Sequence, residues 1–211
     1  MKTLQVFKIF KSIQGESSWQ GRNCTFIRLS GCSLNCSWCD TPEAKSFDSG
    51  TSMDIDQIVK VVSVTGCTLV EVTGGEPLDQ KNTLALLCQL NDKGFETLLE
   101  TSGAFSISGV DKRTKIIMDI KPPSSGENEK MLSSNLNILK TGDEVKFPIA
   151  DRNDFSRALG QLRELEDRCF TPLFTPVEPF MNPKVLAKWF LEEAPPDARF
   201  QLQLHKLLNL A

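Results

Sequence analysis

The sequence predicts an α/β fold, a partial barrel of the TIM-like (β/α)6 kind, on three observations. Short apolar runs rich in β-branched residues alternate with stretches whose apolar residues recur at helical spacing. Repeated strand-then-helix order implies a parallel sheet with right-handed crossovers. The 211 residues hold six or seven such units, too few for a closed eightfold barrel of about 250 residues.

The strands are expected, in order, at 25–29 (TFIRL), 68–72 (TLVEV), 96–100, 116–120 (IIMDI), 144–149, 170–174 and 200–204. Ile55, Ile58, Val59 and Val62 fall on one face of a first helix, and Leu84, Leu87, Cys88 and Leu90 less regularly on a second. Asn182 before Pro183 reads as an N-cap followed by proline at the first helical position, opening a helix through about Glu193. Pro195-Pro196 then turns the chain. With no internal repeat and no long Pro/Gly/Ser linker, residues 1–211 are expected to form a single domain. Only 122–126 (PPSSG) is locally biased; a loop directly after a strand is expected to bind something rather than to link domains.

Composition narrows the function. Lys+Arg number 24 against 27 Asp+Glu, a formal charge of -3, so there is no basic surplus for direct nucleic-acid or anionic-membrane binding. Hydrophobic residues at 40% and charged ones at 24% exclude disordered and fibrous chains. No apolar run approaches the roughly 18 residues of a membrane span, and the start, MKTLQVFKIF, lacks a secretory leader's apolar core. A cytoplasmic protein is expected.

The seven cysteines are an odd number without an export signal, which argues against a disulfide framework. Cys24, Cys67, Cys88 and Cys169 are read as small buried hydrophobes. Cys32, Cys36 and Cys39 instead crowd into GCSLNCSWC, just past the strand at 25–29. Parallel-sheet proteins carry their sites at that end of the strands. Structural zinc needs four ligands, usually in two pairs, and no second pair exists; Cys24, Cys67 and His205 are isolated candidates for a fourth. Three thiolates can hold three irons of a 4Fe-4S cluster and leave one iron open. Three incidental core cysteines are the remaining alternative.

Further polar segments fall on the same rim. Thr73-Gly74-Gly75-Glu76-Pro77 follows the second strand, where glycines let a ligand approach the backbone and a carboxylate suits an ammonium; the plain reading is a strand-to-helix turn. The next strands end in Glu100-Thr101-Ser102-Gly103 and Asp119-Ile120-Lys121-Pro122, where Ser102-Gly103 can simply turn the chain and Lys121 can pair with Glu76 or Asp119. Alternation puts Cys24, Phe26, Arg28 and Ser30 on one strand face. If that face points inward, Arg28 needs an anion, either a bidentate ligand carboxylate or an internal glutamate. Gln14 and Glu16 otherwise read as an exposed polar loop, and His205, late in the last strand, as a structural histidine.

The Cys-x-x-x-Cys-x-x-Cys spacing, with aromatic Trp38 before the last cysteine, resembles the signature of radical S-adenosylmethionine (SAM) enzymes. The resemblance implies a 4Fe-4S cluster on Cys32, Cys36 and Cys39 whose open iron takes the SAM amino and carboxylate groups, and whose electron cleaves SAM to a 5'-deoxyadenosyl radical. It further implies SAM contacts from Trp38, Gly74, Gly75, Glu76, Thr101, Ser102, Asp119 and Lys121. Ser12 to Glu16 (SIQGE), FIRLSGC with Arg28, the CDT at Cys39 to Thr41, and QLHK at Gln203 to Lys206 resemble the 7-carboxy-7-deazaguanine synthase family over nearly the whole chain. That likeness implies ring contraction of 6-carboxy-5,6,7,8-tetrahydropterin to 7-carboxy-7-deazaguanine with loss of ammonia, in biosynthesis of the tRNA nucleoside queuosine, with SAM regenerated. It also implies substrate contacts from Ile13, Gln14, Gly15, Glu16, Arg28, Thr73 and His205, Mg2+ at Thr41, a homodimer, and an electron donor such as flavodoxin or ferredoxin. On this reading Gln14 and Glu16 accept from the pterin's amino and ring N–H groups.

The chain departs from the family pattern at Ser17, where glycine is usual, and at the ending LLNLA. Two rivals remain: an activating enzyme for a glycyl-radical protein, against which SIQGE, Arg28 and QLHK speak, and a noncatalytic zinc-stabilised binding module.

Overall fold

The computed structural model describes residues 2–165 and 167–210. In chain order the elements are β1 (Thr3–Ile13), β2 (Asn23–Leu29), β3 (Thr51–Asp54), α1 (Ile55–Ser63), β4 (Leu69–Gly74), α2 (Thr83–Asp92), β5 (Glu96–Thr101), β6 (Lys115–Asp119), β7 (Glu144–Ile149), α3 (Arg152–Glu164), β8 (Thr171–Pro176), α4 (Pro183–Glu193), β9 (Arg199–Phe200) and α5 (Leu204–Leu207). The strands form one open sheet in the order β3-β1-β2-β4-β5-β6-β7-β8-β9. From β2 onward neighbours are parallel, while β1 pairs antiparallel with both β2 and β3. The expected partial barrel is therefore present, with an antiparallel margin that the sequence reading did not predict. Among the described residues no helix is long and apolar enough to cross a membrane.

The helices form where local chemistry starts them. Asp54 accepts the Gln57 N–H at 2.8 Å while the Gln57 side chain accepts the Asp54 N–H at 3.0 Å, a reciprocal cap that begins α1. Ile55, Ile58, Val59 and Val62 then go under the helix, each such side chain worth about 1.5–3 kcal/mol of burial. They meet Ile27, Leu29, Val70, Val72 and Leu99 from the outer faces of β2, β4 and β5, together with Leu86, Leu87 and Leu90 of α2. At the other end of the sheet, Asn182 accepts the Lys184 N–H at 2.9 Å and opens α4 at Pro183. There Phe155 of α3 and Leu186 of α4 pack on Val145, Phe147 and Phe174.

Strand alternation divides each strand between two environments. A third, smaller cluster of Cys24, Leu69, Leu98 and Ile117 fills the barrel interior at the starts of the strands. Above it the same inward rows continue as Arg28 beside Thr73 and Asp119 beside Lys146. The interior is thus closed below and polar above.

Three expectations need correction. The alternation of strand and helix is incomplete: β5 to β6 has no helix, and β6 to β7 crosses through three 3-10 turns. Buried Asn135 stabilises both, its amide donating to Gly103 and Phe105 oxygens at 2.9 and 2.8 Å while its oxygen accepts Ile107 N–H at 3.2 Å. The last strand keeps only Arg199–Phe200, so His205 lies on α5 rather than on a strand. Cys88 and Cys169 are exposed, not buried. Ser17 has φ of 62°, the left-handed conformation that the more usual glycine would adopt freely.

Candidate active site

A cavity of about 400 Å³ opens at the C-terminal ends of the parallel strands. One wall is the loop after β2. Gly31 N–H donates to Ala44 O at 2.8 Å and Cys32 N–H to Lys45 O at 3.0 Å, closing residues 31–45 into a hairpin-like loop. The PPSSG segment clasps it from outside: Ser37 donates from N–H to Ser125 O at 3.0 Å and from Oγ to Ser124 O at 2.8 Å. Trp38 Nε1 donates to Ser124 Oγ at 3.2 Å. The biased loop therefore binds the cysteine loop.

Cys32, Cys36 and Cys39 are half-buried free thiols on the cavity wall. Burial pushes Cys32 and Cys36 upward in pKa, so ligation would displace protons. Among the described residues no three His, Cys, Asp or Glu side chains converge as one metal ion would require. Cys24 and Cys67 are buried away from this loop, and His205 joins no such group, so none of the three completes a zinc set among the described residues. Three thiols on one short loop, with a cavity beside them, fit three corners of a cluster whose fourth iron takes an outside ligand.

Behind the thiols, Gly74 ends β4 at φ 137°, and a β-carbon there would collide with the Leu29 carbonyl. Gly75 N–H donates to Leu29 O at 3.0 Å and Glu76 N–H to Gly31 O at 2.9 Å, tying the TGGEP turn to the base of the cysteine loop. Gly74 and Gly75 line the cavity, as do Thr101 and Ser102. Glu76 does not: it is fully buried, one oxygen accepting from Thr101 Oγ1 at 2.8 Å and Leu78 N–H at 2.9 Å, the other from Ser102 N–H and Oγ at 2.7 and 2.6 Å. The structure thus makes Glu76 the strut under Thr101 and Ser102 instead of a wall residue. Lys121 pairs with Asp119 at 3.3 Å and lies 5.7 Å from the Trp38 ring centroid.

The opposite half of the cavity gathers Ile13, Gln14, Gly15, Glu16, Arg28, Thr73 and His205. Arg28 reaches inward as alternation requires. Its Nη1 donates to Thr41 Oγ1 at 3.0 Å, yet among the described residues it forms no ion pair, and its buried Nε has no partner. A cation on a cavity wall without an internal anion suits a ligand carboxylate. Thr41 Oγ1 in turn donates to Asp40 at 3.2 Å, and Asp40 pairs with Lys206 at 3.2 Å. Partial withdrawal from water opposes the Asp40 charge, but the Lys206 and Lys146 ammonium groups hold its pKa at about 2. The α5 segment closes the wall. Leu204 N–H donates to Gly15 O at 2.9 Å, and the His205 ring packs so closely on Gly15 that a β-carbon has no room. Burial lowers the His205 pKa, keeping the ring neutral.

At the centre sits Lys146, only 5% exposed. Its ammonium contacts Glu16 at 2.9 Å, Glu100 at 2.5 Å and Asp119 at 3.3 Å. Glu100 also accepts from Thr73 Oγ1 at 3.0 Å, and Glu16 from Gln203 Nε2 at 2.8 Å. Lys146 and Glu71 are cavity residues that motif reading passed over, and Glu100 is one that it quoted without a role. The available signal was a charged residue at an inward position of an otherwise apolar strand.

A parallel partial barrel with three thiols on the loop after its first parallel strand defines a radical SAM protein, and residues 26–118 match the family model of the radical SAM superfamily. A protein of Chlorobaculum tepidum named 7-carboxy-7-deazaguanine synthase is 40% identical over 97% of this chain and 94% of its own. One of the same name from Koribacter versatilis is 36% identical over 97% and 96%. The chain belongs to the 7-carboxy-7-deazaguanine synthase family. The crystal structure of QueE from Escherichia coli shares its fold, with TM-score 0.81 at 22% identity over 97% of this chain and 96% of that one. More distantly, Streptococcus suis SuiB bound to S-adenosylmethionine has TM-score 0.52 at 12% identity, over 81% of this chain and 44% of that one.

Proposed function

We propose that this chain, as one domain over 1–211, converts 6-carboxy-5,6,7,8-tetrahydropterin to 7-carboxy-7-deazaguanine with loss of ammonia, as a radical SAM lyase of queuosine biosynthesis. The observation that carries it is one cavity lined on one side by Cys32, Cys36 and Cys39 and on the other by Gln14, Glu16, Arg28 and His205. When bound, the 4Fe-4S cluster and SAM supply the radical that removes and returns the substrate's hydrogen.

The chain's own residues hold and shield. Cys32, Cys36 and Cys39 ligate the cluster. Trp38, Gly74, Gly75, Thr101, Ser102, Asp119 and Lys121 form the SAM half, with Glu76 fixing Thr101 and Ser102 from behind. Arg28 takes the pterin carboxylate through its guanidinium fork, and Thr73, Glu16 and His205 line the ring. Lys146 holds Glu16, Glu100 and Asp119 in place while the cavity excludes water. Thr41, whose hydroxyl already accepts from Arg28, presents a single oxygen to Mg2+, so substrate and water would complete the coordination. The working unit is a cytoplasmic homodimer reduced by flavodoxin or ferredoxin.

The test is an anaerobic assay of iron-reconstituted protein with SAM, Mg2+, reductant and the tetrahydropterin, read by mass spectrometry. Product that disappears on omitting SAM is expected. 5'-Deoxyadenosine without 7-carboxy-7-deazaguanine would overturn the substrate, and neither product from cluster-loaded protein would overturn the reaction.

A further inference from the structure

Of the carboxyl groups deep in the cavity, Glu16, Glu100 and Asp119 all reach the Lys146 ammonium, and Glu71 does not. Glu71 occupies an inward position of β4, is 2% exposed, and lies on the cavity floor next to the sealed lower core. It forms no ion pair among the described residues. Its one side-chain hydrogen bond is from Gln14 Nε2 to Oε2 at 2.6 Å. The far end of that amide is fixed independently, because Gln14 Oε1 accepts the Glu16 backbone N–H at 2.5 Å, and a backbone N–H can only donate.

We propose that Glu71 is a positioning residue of the substrate pocket: it accepts the Gln14 amide from the floor, holds its N–H side down and its oxygen toward Glu16, and so selects which edge of a heterocycle the pocket admits. The inference rests on reading the cavity as the pterin site. With one lone pair of its oxygen taken by the Glu16 N–H and one amide N–H given to Glu71, Gln14 keeps a second N–H to offer, which suits an acceptor, a ring carbonyl or imine nitrogen. This adds a donor to the acceptor role expected of Gln14. Donor-reading is shared with Glu16, which Lys146 holds at 2.9 Å.

A carboxyl so placed stands neutral. Burial raises the Glu71 pKa well above the usual carboxylate range, and the neighbouring charges of Glu100 and Glu16 raise it further, against smaller opposing effects of the Gln14 hydrogen bond and of Lys146. Cys24 of β2, which also faces it, is itself pushed up and uncharged. A neutral acid presents one acceptor to Gln14 and one O–H to the cavity, a pattern that a glutamine at 71 reproduces and a leucine does not.

The experiment compares wild type, Glu71→Gln, Glu71→Leu and Gln14→Leu as reconstituted holoenzyme with SAM and the tetrahydropterin, and records infrared spectra of the metal-free proteins at pH 7. Glu71→Gln is expected to keep KM within about threefold, while Glu71→Leu and Gln14→Leu raise KM about tenfold or more with kcat less affected. Adding Glu71→Gln to Gln14→Leu should cost nothing further, and this comparison stands even if Glu71→Leu does not fold. A protonated-carboxyl band present in wild type should be missing from Glu71→Gln. Loss in Glu71→Gln equal to that in Glu71→Leu or Gln14→Leu, an unchanged KM in Gln14→Leu, or no missing band overturns the proposal. If wild type forms 5'-deoxyadenosine but no product, the substrate reading has failed instead, and the infrared comparison still decides the state of Glu71.

Discussion

Each central strand has two faces that obey opposite rules. The outer face of β4 carries Val70 and Val72 into a dry layer with α1 and α2, while its inner face carries Glu71 and Thr73 into the cavity. On β7, Val145, Phe147 and Ile149 pack outward, whereas Lys146 meets three carboxylates inside. The outer face supplies the stability. The inner face spends part of it to hold desolvated charge where a ligand can use it. One residue apart on one backbone, a side chain therefore answers to packing or to chemistry, and substitutions should separate the two.

The largest separation is expected at Cys36→Ala, which should abolish product and leave thermal unfolding of the metal-free protein nearly unchanged. Iron content and activity, read beside a melt, test this; turnover with a full cluster would break it. Lys146→Met should cost about 3–5 kcal/mol by leaving buried carboxylates without their cation. Leu87→Ala on the outer face should cost a similar 2–5 kcal/mol through a cavity. Urea unfolding would show the likeness, and KM the difference, with Leu87→Ala unchanged for substrate. Arg28→Lys keeps the charge and loses the planar fork, so KM should rise about tenfold, some 1.4 kcal/mol of binding, with the melt unmoved.

A smaller effect concerns acid. Asp40 has a folded pKa of about 2, below its unfolded value, so the stability it contributes is present above about pH 4 and is lost as the pH falls toward 2. Asp40→Asn should flatten that limb of the stability profile; an unaltered limb would detach Asp40 from Lys206. The smallest change is Ser17→Gly. It relieves a left-handed serine but gives up the Ser17 Oγ acceptor of Trp19 N–H at 3.2 Å, for a net gain of at most about 1 kcal/mol.

Much of the architecture was legible because periodicity reports burial. The strand at 144–149 is observed at those bounds, and the helix at Pro183 opens where its asparagine cap predicted. The three cysteines and Arg28 were legible for a different reason, since their spacing and strand parity follow from covalent geometry. β1 was missed because only part of its length is buried, so its alternation is broken by Lys8, Lys11 and Ser12. The floor was missed because no quoted segment contains Glu71 or Lys146 as a site residue and Glu100 was given no role: the three are 75 residues apart at the extremes and meet only through sheet register. Glu76 was legible as a carboxylate suited to an ammonium, but not that it would be buried with Leu78, Thr101 and Ser102 taking its oxygens.

An open sheet has two margins, and in this one they are Thr51–Asp54 and Arg199–Phe200, four residues and two. A row of unpaired amides invites another chain to add a strand, and short margins ending in charge offer too little length to template one. A barrel left unclosed for ligand entry is thereby kept from becoming a seed for aggregation, which matters most while the cavity is empty and the protein waits for its iron.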